Sequence, residues 1–308
     1  MKFREMKYTR PDVAAIKERI TRNTERLRGA QTYEEAREVF LEEDRATRHD
    51  MTAEVLASIR HSVDTRDTFY DEEMKFWNTA SPELQEYTQM WTQAMLENRF
   101  RPQFSEEFGD VMFVNAEIEL KTFSPEIIPE LQKENELVQA YEKLLASAQI
   151  PFEGKTYTIA QLAPMKSDPD DARRLAAWKA EGQWFLDNRA ELDAQYDELT
   201  HLRDTMGRKL GYDGYTQLGY YRMGRNCYTK QDVEKFREAV RRYLVPVADG
   251  IYREQAKRLG KTYPMSFADN ALMFRSGNPK PCGTADDILA HGRTFYDALS
   301  PETSEFFR

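Results

Sequence analysis

The sequence predicts a mainly α-helical protein made of many helices, with one small β-hairpin. Three observations predict this fold class. Apolar residues recur at helical spacing over long stretches, helix start signals recur along the chain, and a short run of β-forming residues brackets a Glu-Gly pair near residues 150–159. No repeat of fixed period accompanies these signals, so a solenoid is disfavoured.

Two amphipathic segments open the chain. After Pro11, one face carries the apolar side chains Val13, Ile16, Ile20 and Leu27. A later segment repeats the pattern with Leu84, Tyr87, Trp91 and Met95. Side chains three, four or seven residues apart lie on the same face of a helix. Each segment therefore predicts a helix that packs one side against a core.

The longest periodic pattern follows Asp168. Its apolar residues recur at steps of three, four and seven, and they are Leu175, Trp178, Phe185, Leu192, Tyr196, Leu199, Met206 and Leu210. This pattern predicts a single apolar stripe on one long helix. Gly211 follows directly and is a typical C-terminal stop for a helix.

Helix start signals are frequent. A Ser, Thr or Asp followed within three residues by an acid, with Pro in the first turn in several cases, is typical of a capped N-terminus. Such signals begin at Thr32, Ser81, Ser124, Asp168, Thr229, Thr284 and Ser300. The last signal precedes Phe306 and Phe307, which begin an apolar face where the given sequence stops. This favours a chain that ends inside a helix, as an N-terminal fragment of a longer protein would.

Two segments interrupt the helical pattern. Residues 150–159, "IPFEGKTYTI", alternate around Glu153 and Gly154 and predict a β-hairpin. Residues 263–284 contain three prolines and two glycines and predict a long loop. Long loops are often functional, and a plain connector is an equally good interpretation here.

The composition limits the classes of function. The chain has 308 residues, 40% of them hydrophobic, and a net charge of −9. The acidic balance argues against binding to nucleic acid or to anionic membranes. Two cysteines are too few for a disulfide scaffold, and the N-terminus has no apolar signal-peptide region, so a reducing, cytoplasmic location is expected. No apolar run approaches the length of a membrane span.

The familiar catalytic motifs are missing from the sequence. The histidines number four and none forms H-E-x-x-H, while G-x-S-x-G and P-loop patterns are also absent. His201 shares a helix face with Asp197 and Asp204, an arrangement that more often orients a surface histidine than holds a metal. Cys227 follows two arginines but has no histidine base close in sequence. No metal ligand or catalytic residue is predicted in this chain.

The best candidate for a binding site is the glycine-rich segment "GYYRMGRN". It places Tyr220, Tyr221, Arg222 and Arg225 beside flexible backbone. Tyrosine binds peptide groups by hydrogen bonding and stacking, and arginine binds carboxylates through two parallel hydrogen bonds. These residues are predicted to contact substrate. The alternative is that they brace a loop by pairing with acidic neighbours such as Asp213.

Several long blocks resemble oligoendopeptidase F and its relatives, the zinc metallopeptidases related to thimet oligopeptidase. The first block is "RKLGYDGYTQLGYYRMGRNCYTKQDVEKFREAV" at 208–240. The others are "AEIELKTFSPEIIPELQKENELVQAYEKLLASAQIPFEGKTYTIAQL" at 116–162, "ALMFRSGNPKPCGTADDI" at 271–288 and "LSPETSEFF" at 299–307. The resemblance extends over the whole chain.

The resemblance implies the N-terminal half of a neurolysin-like, mostly helical bowl whose central cleft admits short peptides. Residues 1–211 would form an N-terminal helical region with the hairpin, and 212–308 the start of the catalytic domain. The complete protein would be a zinc-dependent metalloendopeptidase that hydrolyses oligopeptides, its Zn²⁺ held by an H-E-x-x-H motif and a later glutamate. This chain lacks that motif. It is therefore expected to be inactive alone and to need the missing C-terminal catalytic half as its partner.

A second function remains open at this point. The chain is long enough to form its own core, so it can also be a helical module that binds peptides or a partner without cleaving them. The two hypotheses differ in one physical expectation. An N-terminal fragment of an enzyme would expose apolar surface where the missing half packs, whereas an independent module would not.

Overall fold

The computed structural model describes residues 3–307. This part of the chain forms two compact units, each made of two chain segments. The first unit comprises the residues up to Gln149 together with Trp184–Glu238, and the second comprises Ile150–Gln183 and the residues from Ala239 onward. The prediction of a mainly α-helical protein with a small hairpin is confirmed.

Fourteen α-helices lie within residues 3–307. They are α1 (Val13–Gly29), α2 (Tyr33–Val63), α3 (Thr68–Leu96), α4 (Arg101–Phe108), α5 (Val111–Glu119), α6 (Ile128–Ala146), α7 (Ile159–Leu162), α8 (Asp171–Asp187), α9 (Arg189–Lys209), α10 (Tyr215–Arg222), α11 (Lys230–Ala239), α12 (Val245–Leu259), α13 (Ala285–Leu299) and α14 (Pro301–Phe306). Short 3₁₀ segments lie at Phe3–Glu5, Pro125–Ile127, Ala163–Ser167 and Phe267–Asp269, and a π-helical segment lies at Val240–Leu244.

Most predicted helix starts are confirmed by their hydrogen bonds. Thr32, Thr284 and Ser300 each form a capping box with the residue three positions on. The Thr229 hydroxyl accepts from the Asp232 N–H at 3.3 Å, and the Asp232 carboxylate accepts from the Thr229 N–H at 3.0 Å. These caps satisfy backbone donors that no helical carbonyl can reach, which is why they can be predicted from the sequence.

The predicted helix start at Ser81 is wrong. Ser81 and Pro82 lie inside α3, which begins at Thr68 with Asp67 as its cap. Pro82 has no N–H, so the carbonyl of Asn78, four residues earlier, loses its helical partner. The amide Nδ2 of Asn135 on α6 donates to that carbonyl at 3.2 Å. A side chain from another helix thus compensates for the proline and lets α3 continue.

The prediction of one long helix over residues 175–210 is also wrong. Asn188, at φ −100° and ψ 9°, interrupts the pattern and divides it into α8 and α9. Its side-chain amide donates to the carbonyl of Trp184 at 2.8 Å. Asparagine side chains often bond to nearby backbone groups in this way, and such bonds compete with the hydrogen bonds of a helix. Tyr196, at 72% exposure, shows that the predicted stripe is not buried as a whole.

The first unit has two apolar clusters. One joins buried residues of α1 to α5, including Leu27, Val39, Met95, Phe104 and Phe113. The other joins α6 and the connection that precedes it to α9 and α10, through Phe123, Ile127, Leu131, Met206 and Leu218. Ile16, Ile20 and Leu27 of α1 are all buried, as their spacing predicts. The second cluster fixes α10 against α6 and α9.

The second unit contains the hairpin and the long loop. β1 (Ile150–Phe152) pairs antiparallel with β2 (Lys155–Tyr157), and Glu153 and Gly154 make the turn with φ of 50° and 74°. Two successive left-handed residues match the twist of a tight hairpin, so the predicted hairpin is confirmed. The predicted loop after Tyr263 is confirmed too, apart from its short 3₁₀ segment.

None of the helices in the described part of the chain combines the length and the hydropathy that crossing a bilayer requires.

Candidate functional site

The candidate site is organised around the turn between α9 and α10, inside the first unit. Gly207 on α9 packs directly against Gly214, so that a Cβ atom at position 207 would lie 2.4 Å from the Gly214 carbonyl oxygen. Gly214 itself has a φ of 155°. This contact requires glycine at position 207, and it holds the start of α10 against α9.

Glu134 on α6 is the charged centre of this region. It is 4% exposed and accepts hydrogen bonds from Arg222 at 3.2 and 2.7 Å and from Arg203 at 2.6 Å. Burial acts to raise the pKa of Glu134, but the hydrogen bonds from the two arginines outweigh it and hold the pKa below the usual range. The buried carboxylate therefore stays ionised and fixes both guanidinium groups.

The four predicted contact residues lie together but form two pairs. Tyr221 and Arg222, at the end of α10, line one pocket. Arg225 follows in the loop and stacks on Tyr220, with 4.2 Å between the guanidinium carbon and the ring centroid. Arg222 pairs with Glu134 and not with Asp213. Arg222 thus has a structural role in addition to the predicted contact.

The pocket beside Arg222, called here the Arg222 pocket, has a volume of ≈ 450 Å³. Its walls come from α3, α5, α6, α10 and the loop after α10. In that loop, the Asn226 amide donates to the Asn115 side chain of α5 at 2.6 Å. The pocket offers amide, carboxylate and guanidinium groups, which can bind the polar backbone of a peptide.

Two further pockets adjoin the Arg222 pocket along α3. The Trp77 pocket, of ≈ 380 Å³, shares Gln85, Leu131 and Arg222 with it. The Trp91 pocket, of ≈ 640 Å³, shares Asn115 and Glu119 with it. All three volumes are of the size of ordinary ligand sites. Together they form a groove on the first unit.

Known proteins are similar to this chain over its whole length. Residues 3–123 match the family model of the Peptidase M3 N-terminal domain. Over its full length, the chain is 36% identical to a solved structure of PZ peptidase A with inhibitor 2, at a TM-score of 0.95. It is 38% identical to a protein of Bacillus anthracis strain Ames described as an oligoendopeptidase F, also at a TM-score of 0.95.

The chain corresponds to an N-terminal portion of an oligoendopeptidase F-like protein. It spans 54% of the PZ peptidase A chain and 56% of the Bacillus anthracis chain. A search among curated proteins found no match.

The described residues of this oligoendopeptidase F-like chain decide whether it can hold a metal ion. Within residues 3–307, no group of three or more His, Cys, Asp or Glu side chains is arranged to hold a metal ion. His201 is exposed, and its Nδ1 contacts the backbone carbonyl of Asp197 at 2.7 Å rather than a carboxylate. The described residues therefore do not fit a zinc ion.

Sequence reasoning missed the acidic residues of this region. Glu134 lies three residues after Leu131 and three before Leu137, on the buried face of α6. A glutamate at that spacing is a signal of a buried, paired charge. Its partners Arg203 and Arg222 are 69 and 88 residues away along the chain, so no local pattern identifies them. Glu119, at the end of α5, carries no comparable signal.

Proposed function

We propose that the longer protein to which this chain belongs is a zinc-dependent metalloendopeptidase that hydrolyses short oligopeptides. The observation that carries this proposal is the identity of 36–38% over the whole chain with structures described as oligoendopeptidase F and PZ peptidase A. Both unpaired cysteines are exposed, which suits the reducing cytoplasm as the location. The chain alone would be inactive.

Within this function, residues 1–211 would form the N-terminal region and 212–308 the beginning of the catalytic domain. Tyr220, Tyr221, Arg222 and Arg225 would contact the peptide. In support, Tyr221 and Arg222 line a pocket whose groups suit a peptide backbone. Because Arg222 already pairs with Glu134, its guanidinium is held in place before a ligand arrives, which lowers the entropic cost of binding.

The Zn²⁺ ligands would lie outside these 308 residues, in a C-terminal catalytic half. Exposed apolar side chains in the second unit support a partner of this kind. They include Ile251, Leu289, Phe295, Leu299 and Phe306, which are 62%, 63%, 74%, 73% and 87% exposed. Surfaces of this kind are unusual on isolated domains and are typical of interfaces. Strong binding of a hydrophobic dye and self-association of the 308-residue chain are the expected behaviour.

The experiment that tests the function compares this chain with the longest product of its gene. A quenched fluorescent oligopeptide is added to each, with and without a zinc chelator. Cleavage by the longer product that the chelator abolishes, and no cleavage by the 308-residue chain, are expected. Peptide binding without cleavage by either product, combined with a cooperative melt of a monomeric 308-residue chain, would support the helical binding module instead.

A further inference from the structure

The Trp91 pocket is the largest and most apolar part of the groove. It lies between α1, α2, α3 and α5, all in the first unit. Aromatic and thioether side chains line it, among them Phe40, Trp91, Phe113, Met51 and Met112. Methionine adapts to ligands of different shape, and aromatic rings bind apolar groups and cations on their faces. The walls therefore suit an apolar ligand that also carries a positive charge.

The charged side chains that line this pocket are all negative. Glu43, Asp44 and Glu119 line it, and no lysine or arginine does so among the residues that the structure describes. Glu43 is neutralised by Arg19 at 3.1 Å, and Asp44 by Arg48 at 3.0 Å. Glu119 is different, because it forms no salt bridge with any residue in 3–307.

Glu119 lines both the Trp91 pocket and the Arg222 pocket. The residue is accessible to solvent, and the protein atoms packed around its carboxyl group partly desolvate it. This desolvation raises the pKa of Glu119, and no neighbouring charge opposes the shift. An unpaired, partly desolvated carboxylate gains more from a bound cation than a fully hydrated one does.

We propose that the Trp91 pocket binds a peptide segment in which an arginine or lysine adjoins an aromatic or aliphatic residue. Glu119 receives the basic group, and the aromatic and methionine side chains receive the apolar one. This inference rests on the proposed peptide-binding function and adds a charge preference to it. The volume of ≈ 640 Å³ lies within the usual range for small-ligand sites, about 300–1,000 Å³.

The test measures the binding of three capped dipeptides by titration calorimetry, to the longest product of the gene with the zinc chelator present. The probes are N-acetyl-Phe-Arg amide, its uncharged isostere with citrulline in place of arginine, and N-acetyl-Phe-Glu amide. The caps remove the terminal charges, so only the side chain differs. The wild-type product is expected to bind the arginine peptide about tenfold more tightly than the citrulline peptide, as one charged hydrogen bond implies.

Two substitutions of Glu119 test whether this residue causes the preference for the arginine peptide. Glu119→Gln should make the arginine and citrulline peptides bind equally, and Glu119→Lys should favour the glutamate peptide. Glu117→Gln is the matched control, because it also removes one negative charge from α5, two residues before Glu119. Unlike Glu119, Glu117 pairs with an arginine, Arg101, at 2.7 Å. This control should keep the tenfold preference. Thermal melts check that all three variants are folded.

Three results would overturn the proposal: equal binding of the charged and uncharged peptides to the wild-type product, a preference that survives in Glu119→Gln, or no binding at millimolar peptide. Each is independent of catalysis, since nothing is cleaved in the measurement. The charge preference can therefore hold while the longer product shows no peptidase activity, or fail while that activity is present. The two proposals are thus tested separately.

Discussion

Glu134 and Arg222 are joined by two hydrogen bonds, at 3.2 and 2.7 Å, across 88 residues of sequence. The pair ties α6 to α10, and Arg203 of α9 joins it from the other side at 2.6 Å. Three helices therefore meet at one buried carboxylate. Arg222 also lines the Arg222 and Trp77 pockets, so the interaction that ties the three helices together also holds one wall of the groove in place.

Glu134→Gln is expected to destabilise the chain at neutral pH by about 2–4 kcal/mol, because it leaves two guanidinium groups without their carboxylate. The pKa of Glu134 is lowered from 4.5 in the folded state. A lowered pKa means that the stabilisation is complete above pH 4.5 and is lost as the pH falls through the folded-state value. The measurement is the free energy of unfolding of both proteins, by denaturant titration, between pH 3 and pH 7.

The difference in unfolding free energy between wild type and Glu134→Gln should therefore become smaller below pH 4.5. Glu117→Gln serves as the control, because it removes a charge from a side chain that is 50% exposed. A difference between wild type and Glu134→Gln that stays constant down to pH 3 would show that this carboxylate is not the titrating group.

Gly207→Ala is expected to destabilise the chain by about 1–3 kcal/mol, because the new methyl group would lie 2.4 Å from the backbone oxygen of Gly214. Neither backbone can move away easily, since Met206 of α9 and Leu218 of α10 are both buried in one cluster with Leu131 of α6. Gly182→Ala in α8 is the control. No atom lies within 4 Å of the place that its new methyl group would take, so the helix gains the propensity of alanine and stability stays equal or rises. Equal melting temperatures for the two variants would contradict the close contact.

The helix starts could be predicted from the sequence because a cap and its partner lie within three residues of each other. Thr284 and Asp287 show this, since each satisfies the backbone N–H of the other. The same local signal is misleading at Ser81, where the compensating group is Asn135, more than fifty residues further along the chain. Periodicity fails at Asn188 for a related reason. A single non-helical residue ends one helix and begins the next without breaking the spacing of apolar residues on either side.

The candidate site could be predicted only in part for the same physical reason. The glycine-rich turn that carries Tyr221 and Arg222 is local, and its sequence indicates it. The pocket that these residues line is made of helices distant in sequence, and its acidic members Glu119 and Glu134 are identified only by tertiary packing.

Arg174→Met is expected to loosen the loop at residues 263–284. Arg174 is fully buried, donates to the backbone carbonyls of Ala268 and Asp168 at 3.0 and 2.7 Å, and pairs with Asp269. Removing one partner from a buried ion pair costs about 3–5 kcal/mol. The measurement is trypsin cleavage after Arg275, which should become faster than in the wild-type chain.

Arg173→Ala is the control for that experiment. Arg173 neighbours Arg174 in sequence, but its own side chain is 38% exposed. Its partners Glu153 and Asp168 are 47% and 19% exposed, and ion pairs with this access to solvent contribute less to stability than buried ones. Cleavage of the loop should stay at the wild-type rate in this variant. If Arg173→Ala and Arg174→Met accelerate cleavage equally, the buried contacts to Ala268 and Asp269 are not what holds the loop.

Asn135 and Pro82 are expected to be thermodynamically coupled. Asn135→Ala removes the donor to the Asn78 carbonyl and leaves that oxygen without a partner, at a cost of about 1–3 kcal/mol. In a Pro82→Ala background, the alanine N–H can form the helical bond to the same carbonyl. The loss of Asn135 should then cost less. A double-mutant cycle, based on unfolding free energies of the four proteins, measures the difference.

Gln132→Ala is the matched control for this cycle. Gln132 also reaches from α6 to α3, where its amide donates to the Thr79 carbonyl at 3.1 Å. Residue 83, four positions after Thr79, keeps its N–H, so that carbonyl has a helical partner by regular geometry whether or not Pro82 is present. The effect of Gln132→Ala should be small and equal in both backgrounds. Equal costs of Asn135→Ala in both backgrounds would instead show that the Asn135 amide acts elsewhere, and that α3 tolerates Pro82 without it.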